Sequence, residues 1–249
     1  MVIKSTGSLL NVEGANEKEL MNIDGKLCVV KRNLQENCYD AYAEAMIFKL
    51  AEVLGVSCCE AGFIVELNSS YSVVDRAIRS YLVSADEFLG ISNPSFQSVW
   101  KSLLSLGINK GTLTDYLRQT LFDILTRQLD RNLTNFNFIV QSEDKTLARL
   151  YPLFDNGLSL FSTTKLTKDT TFRSISGESS DNILIKAIAR SKELELSYSD
   201  FFAFKLNKDE LTNLWADFPE VFINGNLKND IIDWIINQQQ IIFDKFKMI

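Results

Sequence analysis

Histidine is absent from the 249 residues. That removes Ser-His-Asp and Cys-His nucleophile systems, His-containing metal sites and the ordinary near-neutral pH switch, leaving acid–base chemistry to carboxylates and lysine. Proline is scarce at 3 and glycine numbers 11, so the chain is neither collagen-like nor of low complexity. The cysteines, Cys28, Cys38, Cys58 and Cys59, contain no C-x-x-C spacing, which argues against a zinc site and for reduced thiols in a cytoplasmic compartment. No uncharged apolar run approaches the roughly 18 residues of a spanning helix. The opening MVIKSTGSLLN lacks the apolar centre of a secretory signal.

What is present is a globular composition, 46% hydrophobic and 11% aromatic. A chain of this length buries roughly 70–75% of its unfolded surface and builds its own core. With 26 basic against 32 acidic side chains the net charge is −6. The bulk field therefore repels nucleic acid and anionic lipid, so neither is an expected partner.

The first third reads as strands around one helix. Lys18 to Ile23 and Lys26 to Lys31 flank Asp24-Gly25, a two-residue hairpin signal. From Tyr39 to Leu54, Ala43, Ile47, Leu50 and Leu54 recur at helical spacing before a stop at Gly55. Gly62 to Leu67 and Tyr71 to Val74 read as a second hairpin turning at Asn68-Ser69-Ser70, giving β-β-α-β-β. Helices follow: one opening at Asn93-Pro94 and ending at Gly107, one from Thr114 to Gln128, and a last from about Asn229 to Lys247. Between them, Phe136 to Val140 and Leu147 to Leu153 read as a hairpin. A polar connection with ten Ser or Thr in nineteen positions covers 162–180.

Pairing of that hairpin brings Asp130 and Asn135 beside Asp155. Two carboxylates and an amide suit an oxygen-liganded magnesium ion, and a strand-end lysine such as Lys31 suits phosphates. Each residue alone also fits a plainer role: Asp130 and Asp155 in turns, Lys31 as a solvated strand end, Glu44 as a charge on an exposed helix face. Their order carries more weight. A strand Lys, a helix Glu, D-R-x-x-x-N, a hairpin and a further Asp are the parts, in sequence, of a protein-kinase-type phosphoryl-transfer site.

At this level the chain resembles the HipA-like serine/threonine kinases, particularly their short members, over most of its first 160 residues. Gly14-Ala15-Asn16-Glu17-Lys18 is similar to the family's nucleotide-proximal G-x-Q-x-K loop, and Leu27 to Lys31 to its lysine strand. LDRNLTN at 129–135 and LYPLFDNG at 150–157 are similar to its D-R-H-x-x-N catalytic loop and P-L-[FY]-D metal-binding element. The resemblance implies an α+β, bilobal kinase-like fold, with a β-rich lobe over residues 1–78 and a helical lobe over 79–249. It implies ATP and Mg2+ as cofactors. Asp130 becomes the catalytic aspartate, Asn135 and Asp155 the metal ligands, Lys31 the phosphate lysine and Glu44 its ion-pair partner. Gly14, Asn16 and Lys18 would lie on the nucleotide, and the hinge around Asp75 and Arg76 would hold adenine. The implied activity is transfer of the γ-phosphate to Ser or Thr of a protein, an aminoacyl-tRNA synthetase by analogy, with any antitoxin partner unidentified. A small-molecule or lipid kinase with the same core, or a nucleotide-binding pseudokinase, are the alternatives.

Three residues depart from the family pattern. Asn132 replaces the His after D-R, Asn16 replaces the loop Gln, and Asn11 stands where a toxin member carries an autophosphorylated Ser.

Overall fold

Antiparallel backbone pairing, with the three inner strands each bonded on both sides, organises the N-terminal sheet. In the computed structural model, residues 3–9, 18–32, 39–64, 67, 69–74, 81–92, 95–129, 131–162, 178–203, 205–218 and 225–248 are described. Strands β1 (Ile3–Leu9), β2 (Lys18–Ile23), β3 (Lys26–Arg32), β4 (Ala61–Ile64) and β5 (Ser69–Val73) form an antiparallel sheet in the order β1-β2-β3-β5-β4. Helix α1 (Asp40–Leu54) joins β3 to β4. The β2–β3 turn forms as expected: Asp24 and Gly25 both have positive φ, 49° and 84°, and Asn22 Oδ1 accepts the Gly25 N–H at 3.0 Å. That is the type I′ geometry whose twist matches its flanking strands. Strand β1 goes beyond the expected β-β-α-β-β pattern.

The second hairpin differs from expectation. Ser69 and Ser70 are strand rather than turn, and β4 ends at Ile64. Ser70 pairs with Lys31 on one side and Phe63 on the other, so ladder bonding overrides the turn propensity of Asn-Ser-Ser. Both serines are fully buried.

Strand alternation sorts the sheet into two faces. Ile23, Cys28, Val30 and Ile64 form an apolar cluster on one, with Met21, Tyr71 and Val73 against it. Lys18, Val29, Lys31, Ser70 and Phe63 belong to the other. Helix α1 covers part of this second face, where Phe63 packs between Tyr42 and Phe218 at ring-centroid distances of 5.9 and 4.9 Å.

The remaining chain is mainly helical: α2 (Ala85–Leu89), α3 (Phe96–Ser105), α4 (Lys110–Thr126), α5 (Ser180–Glu193), α6 (Lys208–Leu214) and α7 (Gly225–Met248). A three-stranded sheet, β6 (Leu82–Ser84), β7 (Asn137–Ile139) and β8 (Arg149–Leu150), lies among them in that order. The expected hairpin is therefore the β7–β8 half of a larger unit and shorter than its sequence pattern. Helix α3 is capped by Ser95 in a reciprocal capping box with Ser98, not by Asn93, which lies with Pro94 outside the described residues. Helix α4 starts four residues before Thr114 because Asn109 caps it, accepting from Thr112 N–H. It stops at Thr126, where Arg127 turns left-handed at φ 55°, so Gln128 lies beyond the helix.

One apolar core joins α1 to the helical part. Two tryptophans tie it with polar atoms: Trp215 Nε1 donates to the Met46 carbonyl at 3.3 Å, and Trp234 Nε1 to that of Leu125 at 3.1 Å. The N-terminus of α1 meets the chain after Asp155 closely. A Cβ added at Gly157 would sit 3.2 Å from the Asp40 carbonyl oxygen. Gly157→Ala should destabilise the fold by about 1–3 kcal/mol through that overpacking, read as a lower urea midpoint with an unchanged slope.

Candidate active site

Lys31 lies at the C-terminal end of β3, on the sheet face that looks toward α1. Its Nζ donates to Glu44 Oε1 at 2.8 Å and to Asp155 Oδ1 at 2.5 Å. Residues 13 and 124 positions apart from it thus meet on one ammonium. Glu44, expected by default on an exposed helix face, is 2% exposed. Its second oxygen accepts the Asn156 N–H at 2.9 Å, so α1 is joined to both the lysine strand and the Asp155 segment.

Burial opposes the charge on Lys31, but the carboxylates of Glu44 and Asp155 more than offset it and hold the amine above its usual range. Burial likewise works to raise Asp155, and Lys31, followed by the more distant Lys18 and Arg131, outweighs it and leaves the carboxyl below the usual range. Lys18 stands directly opposite Lys31 across the β2–β3 ladder. Lys18 thus adds a second ammonium on the face where Lys31 meets Glu44 and Asp155.

Asp155 has φ 53°, a left-handed backbone that a non-glycine residue adopts at a local cost. The Gln128 side-chain amide holds its carbonyl at 3.0 Å. On the other side of the site, the Asn135 N–H donates to both the side-chain and main-chain oxygens of Asn132, at 3.1 and 3.2 Å. Asn132 therefore closes the 131–135 turn through an amide oxygen.

Arg131 connects the two segments. Its Nη1 donates to the Asn135 carbonyl at 2.9 Å and to the Phe154 carbonyl at 2.8 Å. The main chains of the two expected metal-ligand segments can be no further apart there than those two bonds allow. The donors offered are a carboxylate and an amide, without thiol or imidazole, which fits a hard cation such as Mg2+ rather than zinc. Among the described residues there is no cluster of three or more Asp, Glu or Cys side chains able to hold a metal by themselves.

Of the residues singled out in the sequence, Lys18, Lys31, Glu44, Asn135 and Asp155 are described. Gly14, Asn16, Asp75, Arg76 and Asp130 lie outside the described residues, as do Asn11 and 163–177. Sequence reasoning did not find Asn156, Gln128 or the Asp123 carboxylate that Arg131 grips. Gln128 and Asp123 carry no motif, Asn156 directly follows the aspartate in the LYPLFDNG segment without a role assigned to it, and the three-dimensional return of the chain brings all three in. Beyond the same loop, an open depression of about 810 Å³ is bordered by Asp86, Glu87, Ile91, Ser92, Asn132 and Leu133. Among the described residues no helix is long and apolar enough to cross a membrane.

No family model matches the sequence, and no curated protein does. Solved structures do. The Helicobacter pylori proinflammatory kinase CtkA superposes with a TM-score of 0.68 at 14% identity, over 97% of this chain and 95% of that one. HipA of the Shewanella oneidensis MR-1 toxin–antitoxin system, solved with HipB and operator DNA, superposes with a TM-score of 0.53 at 15% identity, over 98% of this chain and 66% of that one. The chain has the bilobal α+β fold of the HipA-like kinases, similar to that of CtkA.

Proposed function

We propose that this protein is an ATP- and Mg2+-dependent phosphotransferase that moves the γ-phosphate to a Ser or Thr hydroxyl of a protein. The observation that carries the reading is Lys31, buried and held between Glu44 and Asp155. An ammonium so placed, with Lys18 opposite, meets nucleotide phosphates as a fixed point charge, and Glu44 keeps it there. The nucleotide would lie between a lobe of residues 1–78 and one of 79–249, with Gly14 and Asn16 over the phosphates and Asp75 and Arg76 at the adenine. Asn135 and Asp155 would hold the metal, which when bound neutralises charge on the phosphates. Asp130 would accept the proton of the acceptor hydroxyl as its oxygen bonds to the γ-phosphorus and the bond to the bridging oxygen of ADP breaks. The depression beside Asn132 and Leu133 gives a polypeptide acceptor room to approach that loop. A cytoplasmic protein substrate, an aminoacyl-tRNA synthetase among them, is compatible with this reading.

Incubation with γ-labelled ATP and Mg2+, with and without lysate, followed by mass spectrometry, tests it. A labelled protein supports the proposal, a labelled small molecule replaces it with a metabolite kinase, and binding without transfer with a pseudokinase. Mg-ATP at about 100 times its Kd should add about 2.7 kcal/mol of stability, roughly 5–10 °C in Tm for a chain of this size. Asp155→Asn should remove the Mg2+-dependent part of that shift. Retention of the full shift would take Asp155 out of the metal site.

A further inference from the structure

The most completely bonded buried charge near the site is not one the proposed chemistry uses. Arg131 is 3% exposed, and every donor of its guanidinium is engaged. Nε and Nη2 grip Asp123 through both carboxylate oxygens at 3.0 and 3.1 Å. Nη2 also donates to Asn156 Oδ1 at 2.7 Å, while Nη1 takes the carbonyls of Asn135 and Phe154. Asp123 belongs to α4, whose flanking Phe122 and Ile124 are buried in the main core, so the fork is anchored to the interior.

We infer that Arg131 and Asp123 form a positioning pair that sets the distance between Asn135 and Asp155, and thereby the metal affinity of the site. This rests on the functional reading above. Asn135 and the residue preceding Asp155 hang from the same guanidinium nitrogen. Asn156, which follows Asp155, hangs from the other terminal nitrogen and passes its own N–H to Glu44. A shift of the guanidinium would move both ligand-bearing segments and the orienter of Lys31 together. A point-charge ammonium could balance Asp123 but offers three donors without the planar fork, so it could not hold all these acceptors at once. Groups behind metal ligands typically govern metal affinity by 10–100-fold.

The test is Arg131→Lys, with Arg131→Met/Asp123→Leu as a second variant in which the buried pair is replaced by apolar side chains that preserve the packing. Each is compared with the wild-type chain by Tm without ligand, by Mn2+ affinity from electron paramagnetic resonance in the presence of ADP, and by affinity for a fluorescent ADP in EDTA. Expected are a 10–100-fold weaker Mn2+ affinity in either folded variant and metal-free ADP affinity within about twofold of wild type. Wild-type Mn2+ affinity in a folded variant would overturn the inference, as would failure of both variants to fold, which assigns the pair to stability alone. Absence of metal-dependent ADP binding in the wild-type protein would instead overturn the functional reading on which it rests.

Discussion

Asp130→Ala should lower phosphoryl transfer by roughly 10²–10⁴-fold while leaving Mg-ATP binding within a few-fold of wild type, because a positioned acid–base group is worth about that much and acts on the acceptor hydroxyl rather than the nucleotide. The residues on either side are held independently of its side chain. The Leu129 N–H donates to the Leu158 carbonyl at 3.3 Å, and Arg131 is locked by its five donors. The variant should therefore fold, with a Tm within a few degrees of wild type. Single-turnover transfer and a nucleotide titration on the same preparation separate the two effects. A variant that loses ATP affinity or melts early would make Asp130 a structural residue, and the proton would need another acceptor.

Local signals were readable where one residue type answers one backbone demand. Asp24-Gly25 supplies two positive φ angles in succession, and Gly55 ends α1 left-handed at φ 71°. The apolar rhythm of α1 outlasts several turns and so survives any tertiary competition. Strand β6 and helix α2, of three and five residues, are too short to show a period, and neither was found. Ser69 and Ser70 are strand where local sequence favours a turn, because their conformation is set by partners on both neighbouring strands, which no window of local sequence contains.

The site divides along the same line. Lys31, Glu44, Asn135 and Asp155 were legible because their order along the chain resembles a known arrangement. Their burial was not: the ordinary expectation for Glu44 is a solvated face, and only the packing of α1 against the sheet removes it from water. Asp123 is invisible in the sequence for a different reason. A helix C-terminus with a left-handed Arg127 separates Asp123 from Arg131, so the pair follows neither helical nor strand spacing. Arg131 itself, read as part of a motif, carries the larger structural load of the loop. Motif position picks out the candidate residues, whereas the groups that hold them together are read from hydrogen bonds.

Lys31→Met should destabilise the ligand-free protein by about 3–5 kcal/mol at pH 7, since removing one member of a buried ion pair leaves its partner charged and unpaired. For a chain of this size that is roughly 6–20 °C in Tm. Most of the loss falls on Glu44, whose side chain is 2% exposed, and less on Asp155, a third of which reaches solvent. The gap between wild type and variant should depend on pH in a fixed direction. Asp155 is held below its unfolded value, so its contribution is present above about pH 4 and is lost as pH falls through the lower folded value. Lys31 is held above its unfolded value, so its contribution is present below about pH 10 and is lost as pH rises through the higher folded value. Thermal melts of both proteins across pH 3 to 11 should show their difference narrowing toward both the acid and the alkaline end, the acid side helped by protonation of the unpaired carboxylates in the variant. A difference under about 1 kcal/mol at pH 7, or one that widens in acid, would mean that Lys31 is solvated in solution and that the contact with Glu44 and Asp155 does not organise the site.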